Sequence, residues 1–377
     1  MAAESAKTPA SGARRRRAAP KAGGGSSPHR KAKHQKSINL ALQGGGSHGA
    51  FTWGVLDKLF EDDRVWIEAI SGTSAGAMNA VVTAQGLYEN GPAGARRRLD
   101  EFWRAVSKAG QSSPIQRSIW AQMTGDWSLE TSPGYRFFNA LSGLVSPYDF
   151  NPGNINPLRD LVGAMVDFDK VRASGEMAVY IAATTVETGR VRIFEGEEIT
   201  LDSVMASACL PQLFKAVEID GKHYWDGGFM GNPPLYPFFY DSPARDIVIV
   251  QINPVVREGE PRTAAEITNR MNEITFNSAL LHELRSIDFV ARLLEDGKLD
   301  PAQYRKMNVH IIHSRKRMRP LDASSKMNSE WAFLKHLFEI GRYAATNWLR
   351  RYYDDVGERS SIDIREMFQG RPEPKGD

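Results

Sequence analysis

The sequence predicts an α/β fold organised on a mostly parallel sheet, and three observations carry that prediction. Short apolar runs at 37–42, 66–71, 177–184, 246–252 and 309–313 lack the polar alternation of a strand with one wet face, which is how strands covered on both sides read. The first two of these runs each pass through a glycine-bearing turn directly into a helical pattern. The last third of the chain is dominated by stretches with apolar residues at i+3 and i+4 steps, the spacing of helices that cover a sheet. At 377 residues the chain can bury a sizeable core, and no run approaches the ~18 apolar residues of a membrane-spanning helix.

The chain begins with a segment of different chemistry. Residues 1–36 hold ten Lys/Arg against Glu4 alone, while the whole chain is only +3, so the remainder is net acidic. Rich in Ala, Gly, Ser and Pro, this tail cannot bury enough surface to offset the entropy of ordering it, which predicts disorder. It also lacks the apolar core of a secretory signal. A solubilising extension, an electrostatic tether to anionic phospholipid, a nucleic-acid contact and an organelle-import peptide all fit its composition, and no specific nucleic acid is expected. The single cysteine, Cys209, excludes an intramolecular disulfide and a multi-cysteine metal site and fits a reducing, cytoplasmic compartment.

Order is expected from residue 37. The first strand runs into Gly44-Gly45-Gly46-Ser47-His48-Gly49, and Phe51, Val55, Leu56, Leu59 and Phe60 then mark a helix face that ends near Asp62-Asp63. A glycine turn opening a helix presents successive backbone N–H groups to a phosphate or to a developing oxyanion. A P-loop needs a Gly-Lys-Ser/Thr ending, which is absent. Gly44, Gly46 and Gly49 do satisfy the dinucleotide spacing, but the acidic residue that should follow about twenty positions later is replaced by a serine turn. That turn, Gly72-Thr73-Ser74-Ala75-Gly76, is a G-x-S-x-G pentapeptide between a strand and a helix. Such a context holds a serine hydroxyl clear of the backbone. Two successive strand-turn-helix units, one offering N–H groups and the other a serine, make better sense as an oxyanion hole beside a nucleophile than as a cofactor site.

From Leu87 to about Phe168 the pattern loosens. Leu99, Phe102, Trp103 and Val106 suggest a helix, after which scattered aromatics from Trp120 to Phe150 read either as an irregular packed insertion or as a lid over an acyl chain. A hairpin turning at Thr188-Gly189 and a short helix at 201–209 follow, with Cys209 read as a small buried hydrophobe. A second hairpin around Asp220-Gly221 ends in Asp226-Gly227-Gly228, and a carboxylate at a strand end lies on the sheet edge where ligands bind. Thr263 with Glu266 forms a capping box that opens a long helix, whose apolar face is expected from Ile267, Met271 and Ile274 through Leu281 and Leu284 to Leu294. The final helix, with Trp331, Leu334, Phe338, Gly341, Ala345, Trp348 and Tyr352 on one face and basic flanks, reads as a cover for the sheet or as a membrane-surface helix. The expected organisation is therefore a basic tail (1–36), one α/β domain with C-terminal helices (37–357) and a loose charged tail (358–377).

Taken in order, Gly44-Gly45-Gly46-Ser47-His48-Gly49, Gly72-Thr73-Ser74-Ala75-Gly76 and Asp226-Gly227-Gly228 resemble the motifs of the patatin-like phospholipase family, and Ser207-Ala208-Cys209-Leu210-Pro211 is similar to the family pattern as well. The resemblance covers roughly residues 37–314. It implies a three-layer α/β/α sandwich and a metal-free, cofactor-free acyl hydrolase of glycerolipid esters that works through a serine-aspartate dyad. Ser74 would be the nucleophile, Asp226 its partner, and Gly44, Gly45 and Gly46 the oxyanion hole, with Gly49, Gly72, Gly76, Gly227 and Gly228 supporting the motifs. An aspartate serves as a base near neutral pH only when burial raises its pKa, so Asp226 is expected to be partly desolvated. The substrate class is then a lipid or another acyl ester, met at a membrane through the basic tail or the final helix.

Three rival readings stay open at this level. His310 or His313 could complete a Ser-Asp-His triad in the chain order of an α/β-hydrolase. His48, beside the glycine turn, is a further imidazole within the motifs. A binding or scaffolding protein could keep the fold without turnover.

Overall fold

The computed structural model describes residues 31, 32 and 35–370. The disorder expected of the basic tail therefore falls almost wholly outside the described residues. The sheet has eight strands: β1 (Lys36–Leu42), β2 (Val65–Gly72), β3 (Ala178–Thr185), β4 (Arg190–Glu195), β5 (Val217–Ile219), β6 (Lys222–Asp226), β7 (Asp246–Val250) and β8 (Asn308–Ile312). Their order is β5-β6-β3-β2-β1-β7-β8, with β4 also on β3. The contacts of β1 with β2 and β7, of β2 with β3 and of β7 with β8 are parallel, while β4, β5 and β6 join antiparallel.

The unbroken apolar runs have a direct cause, because each face of the sheet carries its own core. Ile38, Leu40 and Leu42 of β1 face one cluster together with Ile70 and Val248, and Ala41, Ile247 and Ile249 face the other. On the first side lie α1 (Gly49–Asp62) and α2 (Ala75–Gly110), the latter broken at Asn90–Gly91 just before Pro92, where a proline ring forbids a continuous helix. Five short helices follow, α3 (Ile119–Thr124), α4 (Pro133–Ser142), α5 (Pro147–Phe150), α6 (Pro157–Met165) and α7 (Phe168–Ala173), then α8 (Leu201–Ser207) and α9 (Pro237–Asp241). After α10 (Ala264–Glu295) and α11 (Arg315–Met318) come α12 (Trp331–Tyr352), which packs on α1, and α13 (Ile364–Gln369). Phe238 of α9, Leu280 and Leu284 of α10 and Met367 of α13 fill the second side. The result is a mostly parallel sheet between two helical layers, as the sequence led one to expect.

Two expectations about the C-terminal third need correction, and α12 takes the covering reading of its two. The N-terminal half of α10 does not turn its apolar residues inward: Ile267, Met271 and Ile274 are exposed, whereas Glu273 and Asn277 are buried. The polar side faces inward because it has polar partners there, the Arg257 guanidinium on Glu273 at 2.7 Å and Gln43 on Asn277 at 3.1 Å. The final helix α12 spends its apolar face inside the protein, with Phe333, Leu334, Leu337, Phe338, Ala345 and Trp348 buried, so that face is not available to a membrane. Residues 358–370, expected to be loose, dock instead. The Val309 N–H donates to Ser360 Oγ at 3.0 Å, the Ser361 N–H donates to the Val309 carbonyl, and Met367 is buried. This cover satisfies part of β8, an edge strand that would otherwise offer open backbone groups.

Candidate active site

The site is assembled by register at the carboxyl edge of the sheet. β2 ends at Gly72, which pairs with Ile181 of β3, and Asp226 pairs with Ala183 two residues further along the same strand. Because β6 is antiparallel to β3, with Tyr224 opposite Thr185, it approaches from beyond the sheet edge and stops there. Ser74 stands on the turn out of β2 with φ 54° and ψ −121°, a conformation that a side chain adopts only under constraint. The constraint is visible at the flanking glycines. A Cβ on Gly72 would come within 2.5 Å of the Gly76 carbonyl, and one on Gly76 would strike the Leu42 carbonyl. The Ser74 N–H donates to Ser207 Oγ at 2.9 Å, which ties α8 to the elbow.

The glycine turn lies against this serine. A Cβ on Gly44 would stand 2.8 Å from Ser74 Cβ. The Gly44 N–H, expected among the oxyanion donors, is already committed: it donates to Asn232 Oδ1 at 2.7 Å. Gly44 is therefore a spacer that lets the turn approach Ser74. Among the described residues no acceptor holds the N–H of Gly45 or Gly46. Gly46 has φ 57° and abuts the Lys326 carbonyl, so two of the three expected glycines, next along the turn from Gly44, keep unpaired N–H groups.

Asp226 is 2% exposed. Burial raises its pKa to about 6, against the Gly228 N–H, the Ser74 side chain and the Lys326 charge, which all favour the carboxylate. The Gly228 N–H donates to Asp226 Oδ1 at 2.7 Å, and the Ser74 side chain is near enough to favour the ionised carboxylate. The Asp226 N–H donates to the Cys209 carbonyl at 2.8 Å, and Thr184 Oγ1 donates to the Asp226 carbonyl at 2.9 Å. Cys209 itself is a buried thiol, pushed up to about 12 by burial, and it donates to the Lys215 carbonyl. That matches its reading as a small hydrophobe.

Among the described residues no histidine joins the pair. His48 is buried, its Nε2 is 2.8 Å from Ser325 Oγ, and its ring meets Phe333 edge-on. Burial, helped by Lys326 and Arg257, lowers its pKa to about 3 and keeps it neutral. His310 is satisfied by Asp246 Oδ1 and Ser361 Oγ, each at 3.0 Å. Both His310 and His313 belong to the β8 region, three strands from β2, or about 14 Å at the usual interstrand step.

Sequence reasoning missed the residues that hold the loops together. Asn232 bonds Gly44, Thr73 Oγ1 donates to the Gly231 carbonyl at 2.6 Å, and Ser71 Oγ donates to the Pro234 carbonyl at 2.7 Å. Asn253 Nδ2 holds the Gly44 carbonyl at 2.8 Å and Gln43 Oε1 at 3.3 Å. Asn232 before two prolines and Asn253 before one were the available signals, and both read as ordinary turn chemistry.

A family model described as patatin-like phospholipase matches residues 40–239, more than half of the chain. The chain belongs to the patatin-like phospholipase family. The match spans the glycine turn, the G-x-S-x-G elbow and Asp226-Gly227-Gly228, and membership supports a lipid acyl hydrolase activity. Among solved structures, VipD from Legionella pneumophila aligns over 82% of this patatin-like chain and 67% of its own, at 13% identity and a TM-score of 0.34. ExoU of the Pseudomonas aeruginosa type III secretion system, solved as a heterodimer with SpcU, aligns over 84% and 52%, at 16% identity and a TM-score of 0.34. The chain thus spans about half the length of that ExoU chain. A comparison with curated proteins found no match.

Proposed function

We propose that the protein is a serine acyl hydrolase of lipid carboxylic esters, phospholipids or lysophospholipids among them, acting through a Ser74–Asp226 dyad. The observation that carries this reading is the strained Ser74 elbow, whose side chain lies near a buried Asp226 and favours its ionised form, with the glycine turn packed against the same serine. Asp226 accepts the Ser74 proton as Oγ attacks the ester carbonyl, and the Gly45 and Gly46 N–H groups receive the tetrahedral oxyanion. The oxyanion collapses, the C–O bond to the leaving alcohol breaks, and Asp226 returns its proton to that alcohol. Water then gives a proton to Asp226 as it attacks the acyl-enzyme, the bond to Ser74 Oγ breaks to release the fatty acid, and Asp226 returns the proton to Oγ. None of these steps calls on a metal or a cofactor.

Lipid would be met on the α3–α5 insertion. This segment is anchored on both sides of the site, at Leu129 N–H to Ser324 Oγ (2.8 Å) and at Lys215 Nζ to the Pro152 carbonyl (2.7 Å). It exposes Ile119, Trp120, Met123, Phe137 and Leu144, the last 86% accessible. An apolar surface of this kind suits a bilayer or a lipid aggregate and supports peripheral membrane association through this segment rather than through the final helix.

The test is covalent labelling by a fluorophosphonate probe alongside hydrolysis of p-nitrophenyl esters and defined phospholipids. Ser74→Ala should abolish labelling, and Asp226→Ala should lower hydrolysis at least ~10³-fold, the size of a lost general base together with its contribution to nucleophile activation. His313→Ala should leave turnover per folded molecule within about twofold, since a residue acting elsewhere contributes little. Equal labelling of wild type and Ser74→Ala would leave a non-catalytic lipid-binding protein of the same fold. Loss of turnover in a folded His313→Ala would restore the triad.

A further inference from the structure

Lys326 lies 87 residues past the end of the family match, in a short turn (Ser324–Met327) that no motif marked. Its backbone carbonyl abuts Gly46, so the turn is packed directly on the glycine loop. Its Nζ donates to Asn253 Oδ1 at 2.9 Å, and Asn253 in turn holds the Gly44 carbonyl at 2.8 Å. The same Nζ lies 5.3 Å from the centre of the Phe276 ring, which fills the space where a side chain on Gly228 would stand. The ammonium thus sits on a wall shared by the two loops that carry the oxyanion donors and the carboxylate.

Charged groups surround it. Around Lys326 are Glu273 from α10, Arg257 from the loop after β7, the neutral His48 from the glycine turn, Asp226 from the end of β6 and Asp322 from its own segment, while Arg270 of α10 pairs with Glu273. Glu273 is shared with Arg257 at 2.6 Å and Arg270 at 3.3 Å. Asp322 accepts from Ser128, Ser324 and the Ser325 N–H. Glu273 is thus taken up by two arginines, which leaves Asp226 among the carboxylates whose charge favours the Lys326 ammonium.

Building on the dyad reading above, we propose that Lys326 is a positioning residue of the Ser74–Asp226 site: its ammonium holds Asp226 as a carboxylate, balances negative charge developing on the glycine turn, and fixes that turn through Asn253. Burial lowers the Lys326 pKa to about 8, and Lys326 opposes the burial that raises Asp226 to about 6. Below about pH 6 Asp226 is protonated and cannot accept the serine proton. Above about pH 8 Lys326 loses its charge, Asp226 binds its proton more tightly, and the oxyanion loses a compensating cation.

The experiment is the pH profile of kcat/KM for p-nitrophenyl butyrate in wild type, Lys326→Met and Lys326→Arg, with folding followed by circular dichroism. Wild type should give a bell with limbs near 6 and 8. Lys326→Met should lower the pH 7 rate about tenfold or more, move the acid limb upward by half a unit or more, and lose the alkaline limb. Lys326→Arg should keep the acid limb and carry activity past pH 10, because arginine stays charged there. A folded Lys326→Met with both wild-type limbs overturns the proposal, as does an alkaline limb near 8 that persists in Lys326→Arg. Should neither variant fold, the pH dependence of fluorophosphonate inactivation of wild type decides: a flat rate from pH 7 to 10 overturns it. Failure of the dyad itself is distinguishable, because Ser74→Ala would then label like wild type.

Discussion

Asp226, the base of the proposed dyad, ties the stability of the fold to pH. Its pKa is raised by burial from 3.8 to about 6, so the folded state binds that proton more tightly than the unfolded chain does. The favourable contribution is complete below about pH 4 and is lost as pH rises through about 6. At neutral pH the ionised carboxylate therefore costs folding free energy, up to about 3 kcal/mol, since each tenfold gain in proton affinity is worth about 1.4 kcal/mol. Asp226→Asn, which keeps an acceptor for the Gly228 N–H, should be more stable than wild type in urea at pH 7, and the difference should vanish near pH 4. Identical urea midpoints at pH 7 would show that the site does not hold a destabilised anion. The serine, the aspartate and the glycines of the turn were legible because each stands in a short motif whose chemistry is local. Asn232 and Lys326 were not, since their function depends on loops that are distant in sequence.

At the scale of elements, the α1–α12 contact is the best-defined interface in the first layer. Gly54 and Gly341 face each other's helices so closely that a Cβ on Gly54 would meet the Phe338 carbonyl and one on Gly341 the Phe51 carbonyl. Arg342 then pairs with Asp57 and, at 2.8 Å, with Glu61. Gly341→Ala gains helix propensity but must separate two backbones, and the second effect wins: a loss of about 2–3 kcal/mol is expected, the range of overpacked cores. The exposed Thr346→Ala on the same helix should stay within about 0.5 kcal/mol. Urea midpoints compare the two, and a neutral Gly341→Ala would mean the helices can slide apart freely. The helix itself was readable from its 3.6-residue period, whereas its partner was not. The reverse happened in α10, where the apolar residues Ile267, Met271 and Ile274 pointed to the wrong face because buried polar partners outweighed them.

For the whole molecule, the C-terminal segment closes the sheet rather than trailing from it. Ser360 and Ser361 bind the backbone of β8, His310 uses Ser361 as one of its two partners, and Met367 completes the second core. A chain ending at residue 358 should therefore melt several degrees lower and aggregate as its concentration rises, since it uncovers a strand edge and an apolar socket. Its fluorophosphonate labelling at low temperature should persist, because Ser74 and Asp226 follow β2 and β6, three and five strands from β8 in the sheet. An unchanged melting temperature and elution volume would refute this role.

Hydrophobic periodicity and glycine turns are local properties of a chain, so the class of fold, the succession of strands, the serine elbow and the carboxylate at a strand end could all be read from the residues alone. Folding had to settle which glycine N–H groups are unpaired, that Asp226 reaches the sheet edge on an antiparallel strand arriving from outside it, and that Lys326 stands beside both loops. Those outcomes depend on register and on charge in a buried space, which arise when segments tens to hundreds of residues apart share a few ångströms and water is excluded between them.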